Sequence, residues 1–196
     1  MKKYMKIVVA SFVIAVLLGS IPFESACTQL ENDVLRLHIL ANSDSESDQE
    51  LKLKVRDRIL CDISPLYNGV KSKKEALEIT EDNLSLVESI AAKVIKSSGY
   101  NYDVSASIKN KYFNTRYYEN FTMPAGMYDT LEITIGDAKG KNWWCVMYPT
   151  LCVGAACEKS MKDDLSDSEF EVITSNEIEF RFKIVEYFER ISTLFN

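Results

Sequence analysis

Val34-Leu35-Arg36-Leu37-His38-Ile39-Leu40, followed at once by Ala41-Asn42-Ser43-Asp44-Ser45, orders the rest of the chain. Leu35, Leu37 and Ile39 alternate with Arg36 and His38, the period of a strand with one buried face. By that alternation His38 falls on the polar face, where a solvated imidazole is expected. The run then gives way to short polar residues, whose side chains bond nearby backbone donors and so start helices. Ser47 with Glu50 has the capping-box form, and Ser45 with Asp48 nearly does. Beyond them Leu51, Val55 and Ile59 share one stripe, with Lys52 and Arg56 on one flank and Lys54 and Arg58 on another. Pro65 and Asn68-Gly69 close this helix.

Working downstream, Ser72 and Glu75 open a second helix. Its apolar positions, Ala76, Ile79, Leu84, Val87, Ile90, Ala91, Val94 and Ile95, drift once near Asp82-Asn83, which predicts a kink there. Gly99 ends it. The period then changes to two: Tyr102, Val104, Ala106 and Ile108 read as a strand. Pro124-Ala125-Gly126 marks a turn, and Leu131, Ile133 and Ile135 form another strand. Gly136 and Gly140 bracket a short connection to a returning strand, Trp143 to Tyr148, which predicts a hairpin. Ser160 to Ser168 reads as a loop, with an extended piece at Phe170 and Val172. Phe180, Ile184, Phe188, Ile191 and Phe195 recur at helical spacing. The expected fold class is α+β: a mainly antiparallel sheet with two helices after the first strand and a C-terminal amphipathic helix.

Upstream, Lys2, Lys3 and Lys6 precede the apolar run Ile7 to Leu18, and Ser25-Ala26 offers small residues near a cut. Twelve residues rise only about 18 Å as a helix, short of a roughly 30 Å hydrocarbon core. Residues 1–26 therefore read as a signal peptide or membrane anchor, and 27–196 as a single exported domain.

Charge narrows the partners. The chain has 23 Lys+Arg and 29 Asp+Glu; setting aside Lys2, Lys3, Lys6 and Glu24 leaves 20 basic and 28 acidic groups, a net of −8. Such a body repels a phosphate backbone, so no nucleic acid partner is expected, and membrane contact only through an uncleaved N-terminal segment.

Chemistry finds little footing. The single His, His38, excludes any site built on two imidazoles, and neither a metal site nor a cofactor is expected. Asp44-Ser45-Glu46-Ser47-Asp48 resembles the start of a calcium loop, but Gln49 stands where Gly is needed and Val55 where Glu is needed. Cys145 with His38 is the available nucleophile and base pairing, and nothing in the sequence brings the two together. Cys27, Cys61, Cys145, Cys152 and Cys157 are an odd set, so at least one has no partner within the chain. Cys145 and Cys152 are the natural disulfide candidate if the chain reverses near Pro149; two small buried apolar residues are the alternative. Trp143 and Trp144, adjacent in a strand, point to opposite faces; either helices cover both faces, or whichever Trp faces outward is an interface anchor.

The blocks His38-Ile39-Leu40-Ala41-Asn42-Ser43-Asp44-Ser45, Asp48-Gln49 and Leu51-Lys52-Leu53-Lys54-Val55-Arg56-Asp57 resemble the N-terminal signature of the stage II sporulation protein R family. Pro124-Ala125-Gly126 with Tyr128, and Gly140-Lys141-Asn142-Trp143-Trp144-Cys145-Val146 running on to Pro149, Leu151 and Cys152, resemble it too. The resemblance covers about residues 34 to 152, with Thr150 replacing one of two prolines that often precede the second cysteine. It implies a signal of endospore-forming bacteria and not an enzyme. Such a protein is secreted from the forespore into the intermembrane space, where its partner is a membrane-embedded aspartic protease that processes the sigma-E precursor. The partner-binding candidates are Asn42, Asp44, Arg116, Trp143 and Trp144. The competing expectation is an exported Cys-dependent enzyme in the same space, using Cys145.

Overall fold

The computed structural model describes residues 4, 5, 7, 11, 25–118, 121–149 and 165–174. The chain is a mixed α+β protein. Its elements in order are α1 (25–33), β1 (Leu35–Leu40), α2 (Glu46–Ile63), a 3-10 turn (Ser64–Tyr67), α3 (Lys73–Asp82) and α4 (Leu84–Ser97). Then come β2 (Val104–Phe113), β3 (Arg116–Tyr117), β4 (Thr122–Met123), β5 (Gly126–Ile135), β6 (Asn142–Tyr148) and α5 (Asp167–Thr174).

The decisive helix starts where its polar turn predicts, and the structure chooses between the two candidate caps. Ser45, not Ser47, accepts the Asp48 N–H at 3.2 Å. Three helices, not two, follow β1, because the predicted kink is a full break. The Asn83 side chain donates to the Ile79 carbonyl at 2.8 Å, satisfying the end of α3, and α4 begins on the next residue. Gly99, at φ +86°, stops α4 in the left-handed conformation that favours glycine.

The four-stranded sheet has the order β2-β5-β1-β6. β1 pairs with β5 in parallel, Leu37 opposite Leu131, and with β6 antiparallel, Leu37 opposite Cys145. The bonds Ser105 to Thr134 and Asn110 to Asp129 run in opposite order, so β2 and β5 are antiparallel. The sheet is mainly antiparallel, but its central pair is parallel. The predicted hairpin is therefore wrong: β5 and β6 do not pair, because β1 lies between them. The connection over 136–141 crosses the end of β1 instead of turning tightly, and its backbone bonds to the chain just past that strand. β2, at one edge, has its Ala106 N–H taken by Glu88 of α4 at 2.8 Å, one way a sheet edge is protected from further pairing.

One face of this sheet carries the core. Leu35, Leu37 and Ile39 meet Leu131, Ile133, Ile135, Cys145 and Met147, covered by Leu51, Val55 and Ile59 of α2 and by Val87, Ile90 and Ile95 of α4. Each such side chain is worth about 1.5–3 kcal/mol when fully buried.

The described residues form two compact units, one over 32–112 and 127–165 and the other over 1–31, 113–126 and 166–196. The second contains the β3–β4 pair and α5. The extended piece expected at Phe170 and Val172 is helical instead. Ser166 Oγ accepts the Glu169 N–H at 3.4 Å, and Glu169 returns a bond to the Ser166 N–H at 2.8 Å, a reciprocal cap that commits the segment to a helix. The predicted C-terminal helix and nearly all of the leader lie outside the described residues. Among the described residues no helix is long and apolar enough to cross a membrane.

Candidate functional site

The turn after β1 and the connection after β5 are bound together by a set of side-chain and backbone hydrogen bonds. Asn42 Oδ1 accepts the Asp137 N–H at 2.9 Å, and the Asn42 carbonyl accepts from Lys139 at 3.2 Å. The Ala41 carbonyl accepts from Gly140 at 2.9 Å, and Asp44 Oδ1 accepts the Lys141 N–H at 2.6 Å. Lys52, half a helix away, donates to the Lys141 carbonyl at 2.9 Å. Beneath them Asp48 is buried and takes bonds from Asn42 Nδ2 at 2.9 Å and Ser43 Oγ at 2.6 Å. Burial works against its charge, but the Ser43 and Asn42 donors outweigh that and hold its carboxyl below the usual range.

The fit leaves no room for a Cβ at either glycine of the connection. A Cβ on Gly136, at φ +56°, would lie 2.2 Å from Asn42 Oδ1, and one on Gly140 would lie 2.1 Å from the Ser43 carbonyl oxygen. Asn42 and Asp44 thus hold a lock in place before they meet any partner. Asp44 is exposed and Asn42 half-buried.

The lock delivers the chain into β6, where the tandem tryptophans take opposite faces. Trp143 packs at the rim of the core with the Arg56 guanidinium 4.2 Å over its ring. Trp144 lies on the other face, stacked on His38 at 3.7 Å with the rings 10° apart. Neither is fully exposed. His38 is not solvated, contrary to its reading from alternation: it is 2% exposed, under Trp144, with Nδ1 3.1 Å from Glu132 Oε2. Lys109 donates to Glu132 Oε1 at 2.5 Å, and Lys111 donates to Oε2. Burial opposes the Glu132 charge, yet the two ammonium groups together prevail and bring its pKa down to about 2. For His38, burial is the largest influence and lowers its pKa below 6.5, partly offset by Asn142 and Glu132.

Residues 31–158, which contain both sides of the lock and the tryptophans, match the family model for Stage II sporulation protein R. The chain belongs to the stage II sporulation protein R family. It is 37% identical over 123 residues to Stage II sporulation protein R of Bacillus subtilis (strain 168), covering 63% of this chain and 55% of that relative. The match therefore spans just over half of the relative's length. No solved structure matches.

Among the blocks that carry the resemblance to stage II sporulation protein R, Ala41 to Asp44, Asp48 and Gly140-Lys141 belong to the lock, so that part of the signature has a folding role. Of the five predicted contact residues, the structure brings Asn42, Asp44, Trp143 and Trp144 to one end of the sheet. Arg116 lies in the other compact unit, opposite Met123 in the β3–β4 pair. Cys145 is buried and disulfide-bonded, while Cys61 is an exposed free thiol. Cys152, its expected partner, lies outside the described residues. No group of three His, Cys, Asp or Glu able to hold a metal occurs among the described residues. Sequence reasoning missed Lys109, Lys111 and Glu132. Their signal was present as charges at period two on β2 and β5, but it named no common destination.

Proposed function

We propose that this sporulation protein is an exported signal, secreted from the forespore into the intermembrane space. There it activates a membrane-embedded aspartic protease that processes the sigma-E precursor. It acts by docking and not by bond-making. A ligand shifts a receptor toward an active state only by binding that state more tightly, so the domain must offer a preformed surface. The observation that carries this reading is the lock: it holds the β6 entry, with Trp143 and Trp144, against the β1–α2 turn through side-chain and backbone bonds on both sides. Asn42 and Asp44 act here mainly by holding that geometry, and Arg116 is a separate contact candidate.

The alternative, an exported Cys-dependent enzyme, has one specific observation against it: the disulfide leaves Cys145 with no thiol to attack a substrate. Co-expression with the candidate protease and its precursor substrate in a non-sporulating host tests the proposal. Cleavage only when this chain is exported supports it; cleavage without the chain, or none with it, refutes it. Full signalling by a Cys145→Ser protein ends the nucleophile reading.

A further inference from the structure

The sheet face opposite the core has a charge unlike that of the molecule. Its positions along β2 are Ser105, Ser107, Lys109 and Lys111; along β5 Tyr128, Thr130, Glu132 and Thr134; along β1 Arg36 and His38; along β6 Asn142, Trp144 and Val146. Among these positions stand three cations and one carboxylate, in a chain whose formal net charge is −6. Arg36, 5.0 Å beneath the Tyr128 ring centre, is fully buried. The two lysines are not: Lys109 is 50% exposed and Lys111 36%, while the Glu132 they share is only 4% exposed. One carboxylate cannot neutralise two ammonium groups, so an excess positive charge reaches the surface beside Trp144. Around it Ser105 and Asn142 are exposed and Ser107, Thr134 and Trp144 half-buried, which leaves this end of the face open.

We propose that this open face docks an acidic, extended peptide segment of the partner, its carboxylates on Lys109 and Lys111 and an apolar side chain against Trp144. This rests on the reading of the chain as a docking signal. The strand favours an extended occupant: Lys109 and Lys111 leave it from alternate positions, about 6.6 Å apart at their α-carbons, and bring both ammonium groups to Glu132, within reach of side chains at alternate positions of another extended chain. Charge complementarity favours an acidic one. A long polyanion is opposed by the surrounding acidic body, whereas a short segment with two carboxylates meets mainly the local excess.

The probes are a short synthetic peptide with glutamate at alternate positions, the same peptide with lysine, and phosphatidylglycerol vesicles, each added to the purified exported chain. The glutamate peptide is expected to shift the NMR signals of Trp144, Lys109 and Lys111, with affinity falling as salt rises; the lysine peptide and the vesicles are expected to leave them in place. Ser107→Glu adds a competing carboxylate without removing a bond of the Glu132 cluster, and is expected to weaken the peptide about fivefold or more with unchanged unfolding. Ser105→Glu is the second variant if Ser107→Glu fails to fold, and Lys109→Arg should retain binding. Absent binding, shifts on another face, indifference to Ser107→Glu, or equal response to vesicles each overturns the proposal. In the co-expression host, a silent wild-type chain counts against the signalling role itself; an active wild type with an equally active Ser107→Glu chain counts only against this face.

Discussion

At the scale of single residues, His38 and Glu132 make stability respond to acid in two separate ranges. The native His38 resists a proton that the unfolded chain accepts below about 6.5, so folding stability falls as pH drops through that value. His38→Gln should flatten the change in urea midpoint between about pH 7 and pH 5, a range set by the imidazole. Glu132 acts lower down. Its stabilisation is complete above 4.5 and is lost as pH falls toward about 2. The glycines of the lock make a second prediction. Gly140→Ala drives a Cβ against backbone, the Ser43 carbonyl, which cannot swing aside. A loss of about 1–3 kcal/mol or more is expected in chemical unfolding, with the Trp143 and Trp144 fluorescence altered. Gly136→Ala meets a side chain that can rotate, but it forces φ +56° on alanine and displaces Asn42 from its bond to Asp137.

At the scale of elements, the local chemistry of the helix starts governs. Ser45→Ala removes the acceptor for the Asp48 N–H at the head of α2 and should cost about 1 kcal/mol. The same change at Ser47, whose hydroxyl lies 3.2 Å from that of Ser45, should cost markedly less. Paired denaturation curves decide it. The helix α2 and the strands β1, β2, β5 and β6 were legible, because apolar residues at period 3.6 or 2 state which face is buried. The break at Asn83 was visible only as a drift in that period. Its completeness depends on a side chain choosing the Ile79 carbonyl over continued helix, a competition between local bonds that periodicity does not weigh. The helix at Asp167–Thr174 was misread for a similar reason: eight residues hold too few turns to separate the two periods, and the Ser166–Glu169 cap went unnoticed.

At the scale of the whole molecule, the disulfide of Cys145 fastens the end strand of the sheet. Cys145→Ser should lower stability by about 2–5 kcal/mol, and reductant should bring the wild type down toward the variant; unfolding with and without reductant measures both. The sequence by itself determined the α+β class, the succession of β1, α2 and the strands β2, β5 and β6, the acid balance and, through the blocks around Asn42 and Trp143, the family. Which strand neighbours which was decided only in three dimensions. A period of two tells a strand which side to bury, but it is silent on whether the next strand in the chain or one much further off lies alongside. So β1 entered between β5 and β6 where a hairpin was expected. With that insertion His38 came beneath Trp144 and against Glu132, 94 residues away along the chain, and a histidine that reads as solvated became part of a buried charge cluster.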